Sequence, residues 1–199
     1  VQGNPDLQPE HSTNAMLGLE WATSGGYLRA QFFQNTFTDF IETEIVSAPN
    51  EAPVYEYQNR DRGWTRGVEL ETAANLVASG RLRAELGVSY LETRDERSGL
   101  ELLGRPARAG RLGVQAQLPF ALRSSVTLVH TGRTPMQRDD STGAVSSYRD
   151  AFTRVDLRFA RSLPLAGLEL SLGADNLFDR RPREWAGFTG RHVYTTLTY

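Results

Sequence analysis

The chain has 199 residues, a formal net charge of −2 and no cysteine. Disulfides, thiolate metal sites and thiol catalysis are therefore excluded, and charge gives no reason to expect nucleic acid as a partner. Mean hydropathy is −0.44 and no run of about 18 apolar residues marks a membrane-crossing helix, but alternating strands of about 10 residues cross membranes without such a run.

Taken in chain order, nine stretches alternate in and out with the period of two that marks a half-buried strand. The first three, near 13–21, 27–40 and 57–76, are long and less regular. The fourth, 81–90, sets Leu82, Ala84, Leu86, Val88 and Tyr90 against Arg81, Arg83, Glu85, Gly87 and Ser89. The fifth, 111–118, sets Leu112, Val114, Ala116 and Leu118 against Arg111, Gly113, Gln115 and Gln117. A sixth runs near 122–130. The seventh, 153–159, and the eighth, 168–174, repeat the alternation around Leu157 and Leu170, with Arg158 and Glu169 on the other side. The last is 191–199, ending on Tyr199. All 22 basic residues are arginine, which reads as genome composition.

The connections alternate strictly between short and long. Thr23–Gly26, Ala78–Gly80, Pro119-Phe120 and Pro164–Gly167 are tight. The stretches 41–57, 92–106, 131–148 and 179–190 are long. Tight turns force antiparallel neighbours, so the expected fold is all-β, an antiparallel meander of about nine strands. Loops sorted by side are the plan of an outer-membrane β-barrel, with periplasmic turns and extracellular loops. The apolar set would then face lipid and the charged set a wet lumen. Strand lengths above the globular norm of about 5–6 residues agree. So do aromatics near strand ends, Trp21, Tyr27, Tyr90, Phe120, Tyr148, Phe152 and Tyr199, which are expected to form girdles.

Such barrels carry an even number of strands and start in the periplasm. Nine strands with ends on opposite sides therefore predict that residues 1–199 are the C-terminal portion of a larger barrel. The start at Val1, without a leader pattern, points to a processed product or a piece of a longer chain.

Several stretches resemble TonB-dependent outer-membrane receptors. Asn4-Pro5-Asp6-Leu7-Gln8-Pro9-Glu10 resembles the family's loop before a descending strand. Asn59 followed by Gly67-Val68-Glu69 resembles its N…G-V-E strand, and Pro106 fits the next loop exit. Asp175-Asn176-Leu177-Phe178-Asp179 resembles its N-L-F-D segment, and Gly190-Arg191 leads into a similar last strand. The resemblance implies the last nine strands of a barrel of about 22, in the bacterial outer membrane. The plug domain, the segment that touches TonB and the N-terminal strands would lie outside these residues. It also implies uptake of a chelated nutrient, a ferric siderophore first and cobalamin second. Expected partners are outer-membrane lipid and lipopolysaccharide, the chelated ligand, TonB through the N-terminal region, and the barrel-assembly machinery, which would read Tyr199.

Candidate ligand residues beside the outer loops are Tyr55, Tyr57, Arg60, Arg62 and Trp64, with a second cluster at Arg180, Arg181, Arg183 and Trp185. Aromatics and guanidinium groups suit an anionic aromatic chelate. The plainer reading is a solvated rim paired with Glu51, Glu56 and Asp61. Asn176 and Asp179 read as turn residues bonding their own backbone. His11, His130 and His192 lie far apart in sequence, so no metal site and no cofactor are expected. No nucleophile motif is present and Ser125 and His130 fall on opposite faces, so the chain is not read as an enzyme. The other readings are a non-transport barrel, adhesin or porin-like, and a soluble all-β binding module with its apolar residues inside.

Overall fold

The structure is a computed structural model that describes residues 3–45, 52, 54–139, 143–164, 167–181 and 190–199. The elements are β1 (His11–Thr23), β2 (Gly26–Ile45), β3 (Tyr55–Asn75), β4 (Leu82–Asp95), β5 (Arg108–Leu118), β6 (Leu122–Thr131), β7 (Thr134–Arg138), β8 (Val145–Arg149), β9 (Phe152–Ser162), β10 (Glu169–Asp175) and β11 (His192–Thr198). One nine-stranded sheet runs β1-β2-β3-β4-β5-β6-β9-β10-β11, and β7 and β8 form a separate two-stranded sheet. Every pairing in the large sheet is antiparallel between neighbours. The expected meander is present.

Two differences from the sequence reading have physical causes. The long connection after β6 contains the β7–β8 hairpin. Its five-residue strands show register shifts around Gln137, so they lack the regular alternation by which a strand is read. The second difference is length. β2 and β3 run to 20 and 21 residues, pairing Ile45 with Tyr55, and so extend as a ribbon into what reads as loop.

Register fixes the two faces. One set joins Leu17–Phe32–Val68–Tyr90, Leu86–Leu112–Leu128–Val155 and Val126–Leu157–Ala174–Val193 across successive strands. The other joins Glu20–Arg29–Glu71–Gly87–Arg111 and Ser125–Arg158–Gly173–Tyr194. A soluble sandwich would bury the first set. Instead Leu17 is 71% exposed, Val193 71% and Leu197 61%, and Leu86 and Val126 are exposed in mid-sheet. Among the described residues the buried hydrophobic side chains are Ala73, Leu102 and Ala160 alone. The described residues form no dry centre for the apolar set to occupy, and a sheet this long with an apolar side open to its surroundings suits lipid.

The polar side is tiled by a repeated pair. Phe33 faces Gly67, Phe37 faces Gly63 and Tyr194 faces Gly173 as direct cross-strand partners. A Cβ on Gly63 would stand 2.5 Å from the Phe37 ring, and one on Gly173 would strike the Tyr194 ring. The ring lies over the glycine opposite and closes the gap left by its missing side chain.

The girdle expectation needs correction. Trp21 and Tyr90 do lie on the apolar side. Tyr27 pairs with Ala73 and Phe152 with Thr131 on the polar side. Tyr148 belongs to the β7–β8 hairpin.

Candidate functional site

The polar side holds two adjoining hollows of opposite charge. One, of about 410 Å3, is lined by Arg81, Arg83, Arg123, Arg158 and Glu169. The other, of about 450 Å3, is lined by Glu69, Glu71, Glu85 and Arg111. Ion pairs stitch the wall across strands. Arg29 reaches Glu20 at 2.8 Å and Glu71 at 3.4 Å, while Arg83 reaches Glu85 at 3.3 Å along the same strand, β4. Glu169 holds Arg123 and also Arg158, the latter at 3.6 Å. Arg158 donates to the buried Ser171 hydroxyl at 2.9 Å. Paired, half-exposed charges on a wall favour a polar solute without gripping one counter-ion.

Above the wall, on the long-loop side, the β7–β8 hairpin packs on the 96–107 loop. The Tyr148 hydroxyl donates to Glu101 at 2.9 Å. That bond, then burial, raises the phenol above its ordinary pKa. The Arg133 guanidinium lies 3.7 Å over the Tyr148 ring. Arg138 donates to the Glu101 carbonyl at 2.6 Å, and the Gly104 amide to the Pro135 carbonyl at 2.8 Å. Leu102 and Thr134 are buried beneath. The two loops thus act as one braced body. Sequence reading missed Glu101 and Arg133, because their partners lie far away along the chain.

The N-P-D-L-Q-P-E segment crosses to the β2–β3 ribbon and is locked there. Asn59 donates to the Gln8 carbonyl at 2.8 Å, and the Gln8 amide donates to the Asn59 side chain at 2.7 Å. Asn59 also donates to the Asp39 carbonyl at 2.5 Å. Asp39 has φ at 57° between the pairs Thr38–Arg62 and Phe40–Arg60, which keep one register, so the same amide anchors the strand at a left-handed residue. Asn4 donates to the Tyr57 carbonyl at 2.9 Å, and Glu10 accepts the Ile41 amide at 2.6 Å. Two motifs that read as separate in sequence are therefore one joint.

Asn176 and Asp179 are turn residues, as their residue types suggest. Both have φ at 51°. Asn176 is buried and exchanges bonds with the Arg180 backbone at 2.9 Å each way. Asp179 accepts the Arg191 amide at 2.8 Å and Arg181 at 3.1 Å. These bonds, the backbone one first, hold its carboxyl below the ordinary pKa.

The sequence-predicted ligand residues do not form one patch. On β3, Tyr55 and Tyr57 share the parity of Gly63 and the polar side. Arg62 and Trp64 share the parity of Val68 and the apolar side, as does the backbone position of Arg60. Trp64 carries the Arg66 guanidinium 4.7 Å over its ring. Arg181 is tied to Asp179. Arg183 and Trp185 lie outside the described residues. Tyr199 is 95% exposed at the end of β11. Ser125 faces the polar hollow, whereas His130 lies on the other side, Nδ1 2.9 Å from the Thr153 hydroxyl. The two do not meet.

The family model described as TonB dependent receptor-like, beta-barrel matches residues 1–177. The chain belongs to the TonB-dependent receptor family. The vitamin B12 transporter BtuB of Photobacterium profundum is 25% identical over 99% of this chain and 31% of its own length. The ferric enterobactin receptor of Pseudomonas aeruginosa is 24% identical over 91% of this chain and 26% of its own. Among solved structures, the copper transporter OprC superposes with a TM-score of 0.78 at 18% identity, over 97% of this chain and 32% of that one. The chain spans 14% of the length of a haemoglobin-haptoglobin utilization protein of Neisseria meningitidis and 31% of that of the B12 transporter. The sheet is a segment of a receptor barrel, its place is the bacterial outer membrane, and its relatives are transporters and receptors.

Proposed function

We propose that residues 1–199 form the C-terminal barrel portion of a TonB-dependent importer of a ferric siderophore. The plug, the TonB contact and the remaining strands belong to the rest of the receptor. The observation that carries the substrate class is the outer mouth. Arg133 stacked on Tyr148, with exposed Tyr55 and Tyr57 on the ribbon, offers cationic and aromatic surfaces above a polar wall. Planar rings and guanidinium groups attract anionic aromatic chelates. The likeness to a ferric enterobactin receptor over 91% of this chain supports the same class. Cobalamin is the second reading, favoured by the B12 transporter's likeness over 99% of the chain.

Binding and uptake by the full-length receptor decide between them. Labelled ferric catecholate siderophore should bind and enter in a TonB-dependent, saturable way, and loss of Arg133 and Tyr148 should weaken binding. Saturable cobalamin uptake with no siderophore binding would overturn the proposal.

A further inference from the structure

We propose that Glu101 is a positioning residue: it fixes the Tyr148 ring against the Arg133 guanidinium and so sets the affinity of the outer mouth for its ligand. This role rests on the import reading above and adds to it a residue that acts through another. The cation and the ring are held by separate anchors. On the cation's side, the Gly132 amide donates to the Arg108 carbonyl at 2.8 Å, at the outer end of β5. A Cβ on Gly132 would stand 2.7 Å from that same oxygen, so only glycine allows the approach. The buried Thr134 hydroxyl donates to the Gly132 carbonyl at 3.1 Å. The main chain beside Arg133 is thereby tied to the barrel wall, and its exposed guanidinium lies over the ring.

On the ring's side, the anchor is the 96–107 loop. Tyr148 stands opposite Pro135, which has no N–H for the ladder and whose carbonyl accepts the Gly104 amide. The half-buried side chain reaches across to Glu101, 2.9 Å from its hydroxyl. A tyrosine swings about two side-chain torsions, and a bond at the far end of the ring fixes both. A guanidinium attracts a ring only within about 6 Å of its centroid, so a ring released from Glu101 leaves the pair. The docking of the two loops does not depend on the same carboxylate. Arg138 holds the main-chain carbonyl of Glu101, the Gly104 amide holds Pro135, and Leu102 is buried beside them. Loss of the Glu101 side chain therefore frees the ring and leaves the loops in place.

The test uses the full-length receptor, with labelled ferric catecholate siderophore as probe. Glu101→Ala should weaken binding about tenfold, the worth of one hydrogen bond to a charged group. Glu101→Gln keeps an acceptor oxygen for the same hydroxyl and should restore binding to within about threefold of the parent. In a Tyr148→Phe background, Glu101→Ala should cost nothing further. A second measurement needs no ligand. The tyrosinate absorbance of each receptor, less that of its Tyr148→Phe counterpart, isolates this one phenol. Its ionisation should move to lower pH in Glu101→Ala, because the bond and the negative charge that hold the proton on are gone. An unmoved titration would overturn the proposal. So would an equal loss of binding from Glu101→Ala with and without the Tyr148 hydroxyl, or failure of Glu101→Gln to restore it. If the unmodified receptor binds no siderophore, the import reading fails, and the titration alone decides whether Glu101 fixes Tyr148.

Discussion

Alanine at Gly67 would drive its Cβ into the Tyr90 carbonyl oxygen and to 2.7 Å from the Phe33 ring. A backbone oxygen cannot yield as a flexible side chain can, so Gly67→Ala should cost about 1–3 kcal/mol. Gly87 sits on the same side with nothing within 4 Å of a Cβ, and Gly87→Ala should fall within about 0.5 kcal/mol of the parent. The temperature at which the folded barrel band disappears on a semi-native gel compares the two. Equal effects would mean that the rings do not hold their glycines closed. Asp179 makes a pH prediction. Its folded pKa is depressed, so its contribution is present above the ordinary carboxylate pKa of about 3.9. It is lost as pH falls through the lower folded value. Hydrogen exchange at the Arg191 amide, taken relative to its intrinsic rate at the same pH, should stay slow at neutral pH and quicken only below that range. In Asp179→Ala it should be fast throughout.

At the scale of the strand, facing is what a substitution reads. Leu86 and Leu157 project from mid-strand on the apolar side, so arginine at either should cost about 2–4 kcal/mol at the bilayer midplane and block assembly. Gln115 lines the polar hollow, and Gln115→Arg should assemble like the parent. Protease protection of receptor in outer-membrane fractions measures both, and equal defects would count against the facing. Strands of this kind are legible because β4, β5 and β9 alternate cleanly between leucine-type and charged residues. Two other elements are not. β7 and β8 pair with register shifts and are braced by bonds to the Glu101 carbonyl and from the Gly104 amide, none of which leaves a local pattern. The candidate ligand residues on β3 read as one cluster because they are near in sequence, but period two sends Tyr57 and Arg62 to opposite sides. Asn59 was visible as a motif residue. Its role as the joint to Gln8 and Asp39 depends on a crossing of the chain that no spacing predicts.

For the whole molecule, the open ends of the sheet matter most. β1 and β11 stand at its two edges, and every residue of β1 is exposed. Unpaired edges of this length seek other strands. The 199-residue chain expressed alone should therefore enter aggregates or edge-paired oligomers. Supplying the receptor's other strands in trans should recover a gel-stable, heat-modifiable barrel. A monodisperse folded monomer of the chain alone, by size exclusion in detergent, would contradict this. The joint at Asn59 has a practical corollary. It is built on main-chain atoms of Gln8, Asp39 and Tyr57 at the root of the β2–β3 ribbon, so whatever the tip carries is mechanically insulated from the wall. A short epitope tag spliced between Ile45 and Tyr55 should be displayed on intact cells at parental levels, and the same tag placed between Gln8 and His11 should abolish display. The ribbon is then a handle by which the receptor can be labelled, tracked or grafted without touching the barrel that bears it.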